Sequence, residues 1–236
     1  MKISRCAPAR SIERVVGPRV VKIDTVIKIR AVAPRKMPKS ALLLCFATAA
    51  LAQADPDQTR VHCDSTAGDF VIALDRTLSP LGVDRFLELV ADNFFDDMLL
   101  YRVIPGFLVQ FGVAATPSVQ AKWQNARFPD EPNKVPFRHG TVSFAGNGKD
   151  SRTCHIFVAL QPNGNNLGKA MHETTIGHVE DMSAWERVAT NFANAAYGDT
   201  GSLQGALVAQ GNSAAARYTK LDRIRTCKVL APKKEL

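Results

Sequence analysis

The sequence predicts a mainly β fold, and its pattern favours a closed antiparallel barrel. After residue 60 the chain is divided by Gly and Pro into many apolar runs, each about as long as one strand. Only two segments have the spacing of apolar residues that a helix requires, so strands and helices do not alternate as they do around a parallel sheet. Hydrophobic residues make up 46% of the 236 residues, which excludes a disordered chain and is enough for one packed domain.

The first predicted elements are two strands within residues 61–75, which a turn at residues 67–69 separates. Ser79 and Pro80 then provide an N-cap and a first-turn proline for a helix that runs to Asn93. A second helix is predicted from Met182 to about Phe192. The remaining predicted strands lie within residues 98–104, 107–111, 140–145, 156–159, 174–179 and 221–230.

The charge of the chain is concentrated at one end. The formal net charge is +8, but residues 1–54 hold eleven basic and two acidic residues, a net +9. The other 182 residues carry a net charge of −1. A domain this close to neutral lacks the basic surface of a nucleic-acid-binding protein, so we expect no nucleic-acid partner. No apolar run reaches the ~18 residues of a membrane span, so we expect no membrane partner once the leader is removed.

The leader contains a segment similar to a secretory signal at residues 37–54. It has a short basic start, twelve mostly apolar residues (41–52) and an Ala-x-Ala site that ends at Ala54. The alternative is an apolar helix that packs on the domain. For the basic extension at residues 1–36, we expect that Met37 is the true start and that the gene model is too long; a targeting extension is the other interpretation.

The charged tail, residues 231–236, ends in Lys233-Lys234-Glu235-Leu236. These four residues resemble the Lys-Asp-Glu-Leu retrieval signal of the endoplasmic reticulum with one mismatch, and a solvated charged tail is the alternative. The leader and the tail together predict the secretory pathway, either the lumen of the endoplasmic reticulum or the exterior of the cell.

Two partial motifs exclude other classes of protein. Residues 164–170 resemble a phosphate-binding loop, but three residues rather than four separate the glycines, and Ala170 replaces the hydroxyl residue that would hold magnesium. His172 and His178 are six residues apart rather than the four that a helical zinc site requires. We therefore expect neither a cofactor nor a metal.

Residues 101–112 carry the strongest signal in the chain. They read Tyr-Arg-Val-Ile-Pro-Gly-Phe-Leu-Val-Gln-Phe-Gly, which resembles the central motif of the cyclophilins, the peptidyl-prolyl cis-trans isomerases. The resemblance continues in order from about Val61 to Val229. Further matching segments are residues 128–131, 139–145, 151–158, 176–179, 211–212 and 221–224.

This resemblance implies a cyclophilin-like domain at residues 61–230, with an eight-stranded closed antiparallel barrel and two capping α-helices. The Gln-Phe-Gly, Ser-Arg-Thr and Leu-Asp-x-Ile features are similar to a divergent subgroup of the family. We expect the protein to act as a monomer on polypeptides that contain proline.

The resemblance also implies the site residues. Rotation about an X-Pro bond needs no metal and no nucleophile, only an apolar slot for the proline ring and a donor that favours the twisted amide. By resemblance the donor is Arg102, the catalytic residue, and Gln110 orients the substrate backbone. The implied substrate-binding residues are Phe107, Gln110, Phe144 (at a position that is usually Met), Ala145, Gly146, His155, Phe157 and His172.

Several positions depart from the family pattern. Tyr101 stands where the family usually has His, His155 replaces a Gln, and Gly146 replaces an Asn. The Trp-Leu-Asp-Gly-Lys-His segment is missing, and Glu173 occupies its His position with His172 beside it. Two functions therefore follow from the resemblance: an active prolyl isomerase that assists folding, or a catalytically weak module that binds proline-containing segments.

Of the five cysteines, Cys6 and Cys45 lie in the leader. The first and last strands of the cyclophilin barrel run side by side, so the resemblance implies that Cys63 and Cys227 face each other and can form a disulfide in an oxidising compartment. Two unpaired thiols are the alternative. In either case we expect Cys154 to stay free beside the site.

Overall fold

The structure is a computed structural model of the chain, and it describes residues 58–161 and 166–231. The basic extension, the signal-like segment and all of the tail except its first residue lie outside the described residues, so those predictions remain open. No helix in the described ranges is both long and apolar enough to cross a membrane.

The described strands form one antiparallel sheet. The strands are β1 (Gln58–Ser65), β2 (Phe70–Asp75), β3 (Met98–Leu99), β4 (Arg102–Ile104), β5 (Leu108–Phe111), β6 (Thr141–Phe144), β7 (Ile156–Ala159), β8 (Thr175–Val179) and β9 (Arg223–Val229). Their order in the sheet is β3-β9-β1-β2-β8-β6-β7-β5-β4.

The sheet is strongly curled because its two edge strands are neighbours along the chain. The edges are β3 and β4, and β3 ends at Leu99 while β4 begins at Arg102. Three peptide units of ~3.8 Å bring these edges within about 12 Å of each other. The described part of the chain thus has nine strands, one more than the resemblance implies, in a mainly β fold of the expected kind. Closure into a complete barrel stays a prediction.

The prediction of two helices was incomplete, because the described residues contain four. One helix that was not predicted covers Pro117–Trp123. Its start signal is present in the sequence, because Thr116 is its N-cap and Pro117 is its first-turn proline. The fourth helix has apolar residues on all sides and no clear helical periodicity, so its pattern was missed. The helices are α1 (Pro80–Ala91), α2 (Pro117–Trp123), α3 (Ser183–Asn194) and α4 (Leu203–Gln210), and a 3₁₀ helix covers Gly211–Ala215.

A disulfide joins the first and last strands of the sheet. Cys63 of β1 lies directly opposite Cys227 of β9, and their sulfur atoms are bonded. The pair links residues 164 positions apart in the sequence. The structure therefore contains the bridge that the resemblance implies, rather than two unpaired thiols.

The N-terminus of α1 is capped by a residue from a distant loop. Ser79 is at the predicted N-cap position, but its side chain makes no bond to the helix backbone and donates instead to the carboxylate of Glu131. That carboxylate accepts the backbone N–H groups of Leu81 at 2.8 Å and Gly82 at 3.1 Å. A carboxylate stabilises a helix N-terminus because it pairs with unsatisfied N–H groups and with the helix dipole. Residues 128–131 of the resemblance thus have a structural role.

Glu131 also belongs to a buried ion cluster, which we call the arginine clamp: Asp130, Glu131 and Arg152. The Arg152 side chain is completely buried, and its Nη2 donates to Glu131 at 3.2 Å and to the carbonyl of Pro129. Its guanidinium lies 4.3 Å from the ring centre of Phe128. The clamp holds the loop at residues 128–131 against the loop that precedes β7.

Candidate functional site

One row of side chains crosses three strands on the outer face of the sheet. Arg102 of β4 lies opposite Gln110 of β5, and Gln110 lies opposite Phe157 of β7. Directly opposed residues of antiparallel strands point to the same face. The neighbours Val109 and Val158 point the other way, into the main core. The sheet register therefore brings together three of the predicted site residues.

The guanidinium of Arg102 is held on two sides. Its Nη1 donates to Oε1 of Gln110 at 3.0 Å, and its Nε donates to Oδ1 of Asp199 at 3.2 Å. The backbone N–H of Gly201 and the guanidinium of Arg102 both lower the pKa of Asp199, so this carboxylate is ionised. The Arg102 side chain is 25% exposed. A guanidinium has five N–H groups, so the contacts with described residues leave donors for a bound peptide.

An apolar patch, which we call the outer cluster, lies beside this row and is separate from the main core. The rings of Phe137 and Phe157 pack with their centres 6.0 Å apart. Phe107 and Ala145, both predicted site residues, pack at its edge. The outer cluster consists of Leu108, Phe137, Phe157 and Ala159, with Phe107, Ala145 and Leu167 packed against them. The four central members are at most 8% exposed, so the accessible part of the patch is its edge.

The prediction that Phe144 lines the slot was wrong. Phe144 is completely buried in the main core, where it makes an edge contact with Phe128 at 5.1 Å between ring centres. Side chains alternate along β6, so Ser143, and not Phe144, shares the face of Phe157. Leu108 lies in the outer cluster instead. Its position two residues before Gln110 on the same strand was a signal for this face.

Gly146 and His172 meet at the other end of the outer cluster. A Cβ atom on Gly146 would lie 2.8 Å from the Cβ of His172 and 2.7 Å from Oγ of Ser151. These distances are shorter than van der Waals contact, so an Asn side chain does not fit there unless its neighbours move. Gly146 thus lies against His172 and directly follows Ala145 of the outer cluster.

Among the described residues, no contact directs the side chain of Glu173, at the family's His position, toward the outer cluster. Its Oε2 accepts the backbone N–H of Gly168 at 2.7 Å and that of Ala170 at 3.5 Å. The carboxylate therefore stabilises the loop before β8, whereas the neighbouring His172 lies against Gly146.

His155 precedes β7 and is partly buried. Burial lowers the pKa of its imidazole, because the charged form loses hydration. Its Nε2 lies 3.5 Å from Nε2 of Gln204. Its Nδ1 is buried and has no hydrogen-bond partner within the described ranges. We therefore expect His155 to be neutral at pH 7.

Tyr101, the other replacement, is a core residue. Its side chain is completely buried, and burial raises the pKa of its hydroxyl. The hydroxyl donates to Oε1 of Gln204 at 3.0 Å, while its carbonyl accepts the hydroxyl of Thr200. Tyr101 thus contacts Gln204 from the core and is not exposed to a substrate.

Cys154 stays free and is buried in the main core. Burial raises the pKa of its thiol to about 11. A thiol that is protonated at neutral pH is a poor nucleophile. Across residues 58–161 and 166–231 no group of three or more His, Cys, Asp or Glu residues could hold a metal ion.

Sequence reasoning missed five residues of this region. Phe137, Leu108 and Leu167 are members of the outer cluster, and strand alternation alone could have indicated Leu108. Asp199 and Gln204 contact Arg102 and Gln110, respectively, from a segment about a hundred residues later in the chain. Nothing in their local sequence marks them, because both are polar residues beside glycines in a stretch without a predicted element.

Comparisons with known proteins identify the family of the chain. The family model described as "Cyclophilin type peptidyl-prolyl cis-trans isomerase/CLD" matches residues 59–199. The chain is 31% identical over 106 residues to peptidyl-prolyl cis-trans isomerase A of Dickeya dadantii, covering 44% of this chain and 56% of that protein. It is 29% identical over 127 residues to peptidyl-prolyl cis-trans isomerase-like 2 of Aspergillus oryzae, covering 50% of this chain and 20% of that protein.

The fold is similar to a solved structure of a cyclophilin type peptidyl-prolyl cis-trans isomerase from Cryptosporidium parvum. The TM-score is 0.54 at 16% identity, and the match covers 75% of this chain and 99% of the other. The same protein solved in the presence of the dipeptide ala-pro gives a TM-score of 0.52 at 16% identity, over 73% of this chain and 99% of that one. Because the family model covers more than half of the sequence, the chain belongs to the cyclophilin-type peptidyl-prolyl cis-trans isomerase family.

Proposed function

We propose that the protein is a peptidyl-prolyl cis-trans isomerase that rotates X-Pro bonds in client polypeptides and so assists their folding. The observation that carries this proposal is the position of Arg102, in register with Gln110 and Phe157 beside the outer cluster. Two strand spacings, about 10 Å, separate the backbones of Arg102 and Phe157.

The proposed mechanism needs only these groups. The barrier of ~18–20 kcal/mol comes from amide resonance, and it falls when the bond twists and the prolyl nitrogen regains its lone pair. The outer cluster holds the ring by apolar contact. Arg102 donates a hydrogen bond to the nitrogen in the twisted state. Since this bond is stronger in the transition state than in the planar ground state, it accelerates the rotation.

A protease-coupled assay with a proline peptide tests the proposal. Arg102→Ala removes one charged hydrogen bond, so kcat/KM should fall by roughly one to two decades. Arg127→Ala is the matched control, because Arg127 is an exposed arginine that we place outside the site. Equal rates for wild type and Arg102→Ala would defeat the enzyme interpretation.

The rival function is a module that binds proline-containing segments without useful turnover. The observation that favours it is the loss of the family's His, since the Glu173 carboxylate at that position is bound to loop N–H groups. Titration of an Ala-Pro peptide, followed by NMR, separates the two functions. Binding at the outer cluster without acceleration in the protease-coupled assay would support the module.

We also infer that the sheet closes into the barrel of the family. The support is the chain connection between its edge strands, which leaves only two residues between β3 and β4. Slow hydrogen exchange of amides at both edges would agree with closure, whereas rapid exchange along either edge would contradict it.

We propose the secretory pathway as the compartment, because disulfides persist mainly where the environment is oxidising. The bond between Cys63 and Cys227 supports this, together with the signal-like segment at residues 37–54. N-terminal sequencing of the native protein should find a start near Asp55. Its mass should rise by ~2 Da on reduction of one disulfide. A start near Met1 or an unchanged mass would contradict the proposal.

A further inference from the structure

Gln204, in the first turn of α4, connects three segments of the site. Its Oε1 accepts the hydroxyl of Tyr101 at 3.0 Å and Nε2 of Gln110 at 3.4 Å. Its Nε2 lies 3.5 Å from Nε2 of His155. These residues precede β4, belong to β5 and precede β7, respectively. One amide therefore contacts a residue of β5 and the residues that directly precede β4 and β7.

These contacts form a chain of hydrogen bonds with a single direction. A guanidinium only donates, so Nη1 of Arg102 requires Oε1 of Gln110 to face it. Nε2 of Gln110 must then face Gln204, whose Oε1 accepts it. The Nε2 of Gln204 therefore faces His155, whose Nε2 must be the unprotonated acceptor. If the Gln110 amide were reversed, its Nε2 would face Nη1 of Arg102, which is also a donor. If the Gln204 amide were reversed, its Nε2 would face the donor Nε2 of Gln110.

The helix that carries Gln204 is anchored independently of these bonds. Leu203 and Leu207 are buried in the main core. At the end of the helix, Gly211 has a φ of 65°, and a Cβ there would lie 2.3 Å from the carbonyl oxygen of Ala115. The N–H of Asn212 donates to that same carbonyl at 3.0 Å. Packing therefore determines the position of the Gln204 backbone without help from these hydrogen bonds. From this fixed backbone, the Gln204 side chain can hold the Gln110 amide in place.

We propose that Gln204 is the positioning residue of this site: it accepts Nε2 of Gln110, keeps that amide in the orientation that Arg102 requires and, through it, holds the guanidinium of Arg102. The assignment rests on the proposed isomerase function. Gln204 lies beyond the segment that the family model matches, which ends at residue 199. It touches no reacting atom in this scheme, so its effect on catalysis passes through Gln110.

The kinetic test compares three variants with wild type. Gln204→Ala should lower kcat/KM about tenfold, as expected for loss of one positioning hydrogen bond. Gln204→Glu retains oxygen acceptors for Tyr101 and Gln110, and its second oxygen can face His155 if the imidazole carries its proton on Nε2, so it should recover to within about threefold of wild type. Gln210→Ala, at the exposed end of the same helix, should equal wild type. Wild-type activity in Gln204→Ala, or no recovery in Gln204→Glu, would overturn the proposal.

NMR tests the same assignment without any activity. In wild type, the ¹⁵N shifts of His155 should show a proton on Nδ1 and none on Nε2. The side-chain amide signals of Gln110 should move in Gln204→Ala and stay near their wild-type positions in Gln210→Ala. A proton on Nε2 of neutral His155, or unmoved Gln110 signals in Gln204→Ala, would overturn the positioning role. These results separate its failure from that of the isomerase proposal.

Discussion

Arg102 and Arg152 belong to two segments of the same family resemblance, yet they occupy opposite environments. Arg102 is 25% exposed and pairs with Asp199, whose side chain is 63% exposed. Arg152 is completely buried and pairs with Asp130 and Glu131, which are 5% and 9% exposed. Burial lowers the pKa of Arg152 and its acidic neighbours raise it, with burial the larger effect. One guanidinium is available to a ligand, and the other joins two loops.

The comparison shows that a matching motif does not by itself indicate a site. Both arginines lie in segments that match the family, but only Arg102 is partly exposed and in register with a residue of the outer cluster. Arg152 and its acidic partners instead connect the N-terminus of α1 with the loop before β7. Substitutions at the two positions should therefore affect different measured properties.

The largest expected effect is the loss of stability in Arg152→Met. Removing the guanidinium leaves Asp130 and Glu131 as buried charges without their partner, which should lower the free energy of unfolding by about 3–5 kcal/mol. Urea unfolding measures it. The matched control, Arg102→Met, should change the unfolding free energy by less than about 1 kcal/mol. If Arg152→Met and Arg102→Met lost the same free energy of unfolding, the difference in structural role between the two arginines would be contradicted.

The second largest expected effect is the loss of stability when the disulfide is removed. Replacing both Cys63 and Cys227 by Ala should lower the free energy of unfolding by about 2–5 kcal/mol, because the bond constrains the unfolded chain. Reduction of wild type should produce the same loss. The kcat/KM of the folded variant should equal that of wild type, since the bridge joins β1 and β9. A large fall in activity without unfolding would contradict this separation.

A smaller effect is expected from Arg102→Lys. Lysine retains the positive charge but lacks the planar fork that contacts Gln110 and Asp199 together. We expect kcat/KM to fall about tenfold while the unfolding free energy changes by less than about 0.5 kcal/mol. The protease-coupled assay and urea unfolding are measured on the same preparation. A variant as active as wild type would show that charge alone is sufficient.

The smallest expected effect concerns pH. Burial lowers the pKa of His155 in the folded protein below its ordinary value of 6.5. Below that ordinary value the unfolded chain binds the proton first, so stability should fall as the pH drops from about 6.5 through the folded pKa. His155→Gln should lose this part of the pH dependence. Unfolding from pH 7.5 to 5 tests it, and identical slopes for both proteins would contradict it.

The residues of the site differ in whether the neighbouring sequence identifies them. Arg102, Phe107 and Gln110 come from one continuous motif, and strand alternation places 102 and 110 on the outer face. Phe144 was assigned wrongly because its motif position was used without its place in the alternation of β6. Asp199 and Gln204 could not be found, because hydrogen bonds across about a hundred residues leave no periodic pattern in the sequence.

By itself, the sequence determined that the domain is nearly neutral, mainly β and similar to cyclophilins in ordered motifs. Strand patterns and helix starts depend on neighbouring residues, and they can therefore be predicted locally. Only the tertiary structure decided which arginine is accessible, which Phe faces outward and which distant amide completes the site. The physical reason is that burial and long-range hydrogen bonding depend on the pairing of remote segments, which the fold alone establishes.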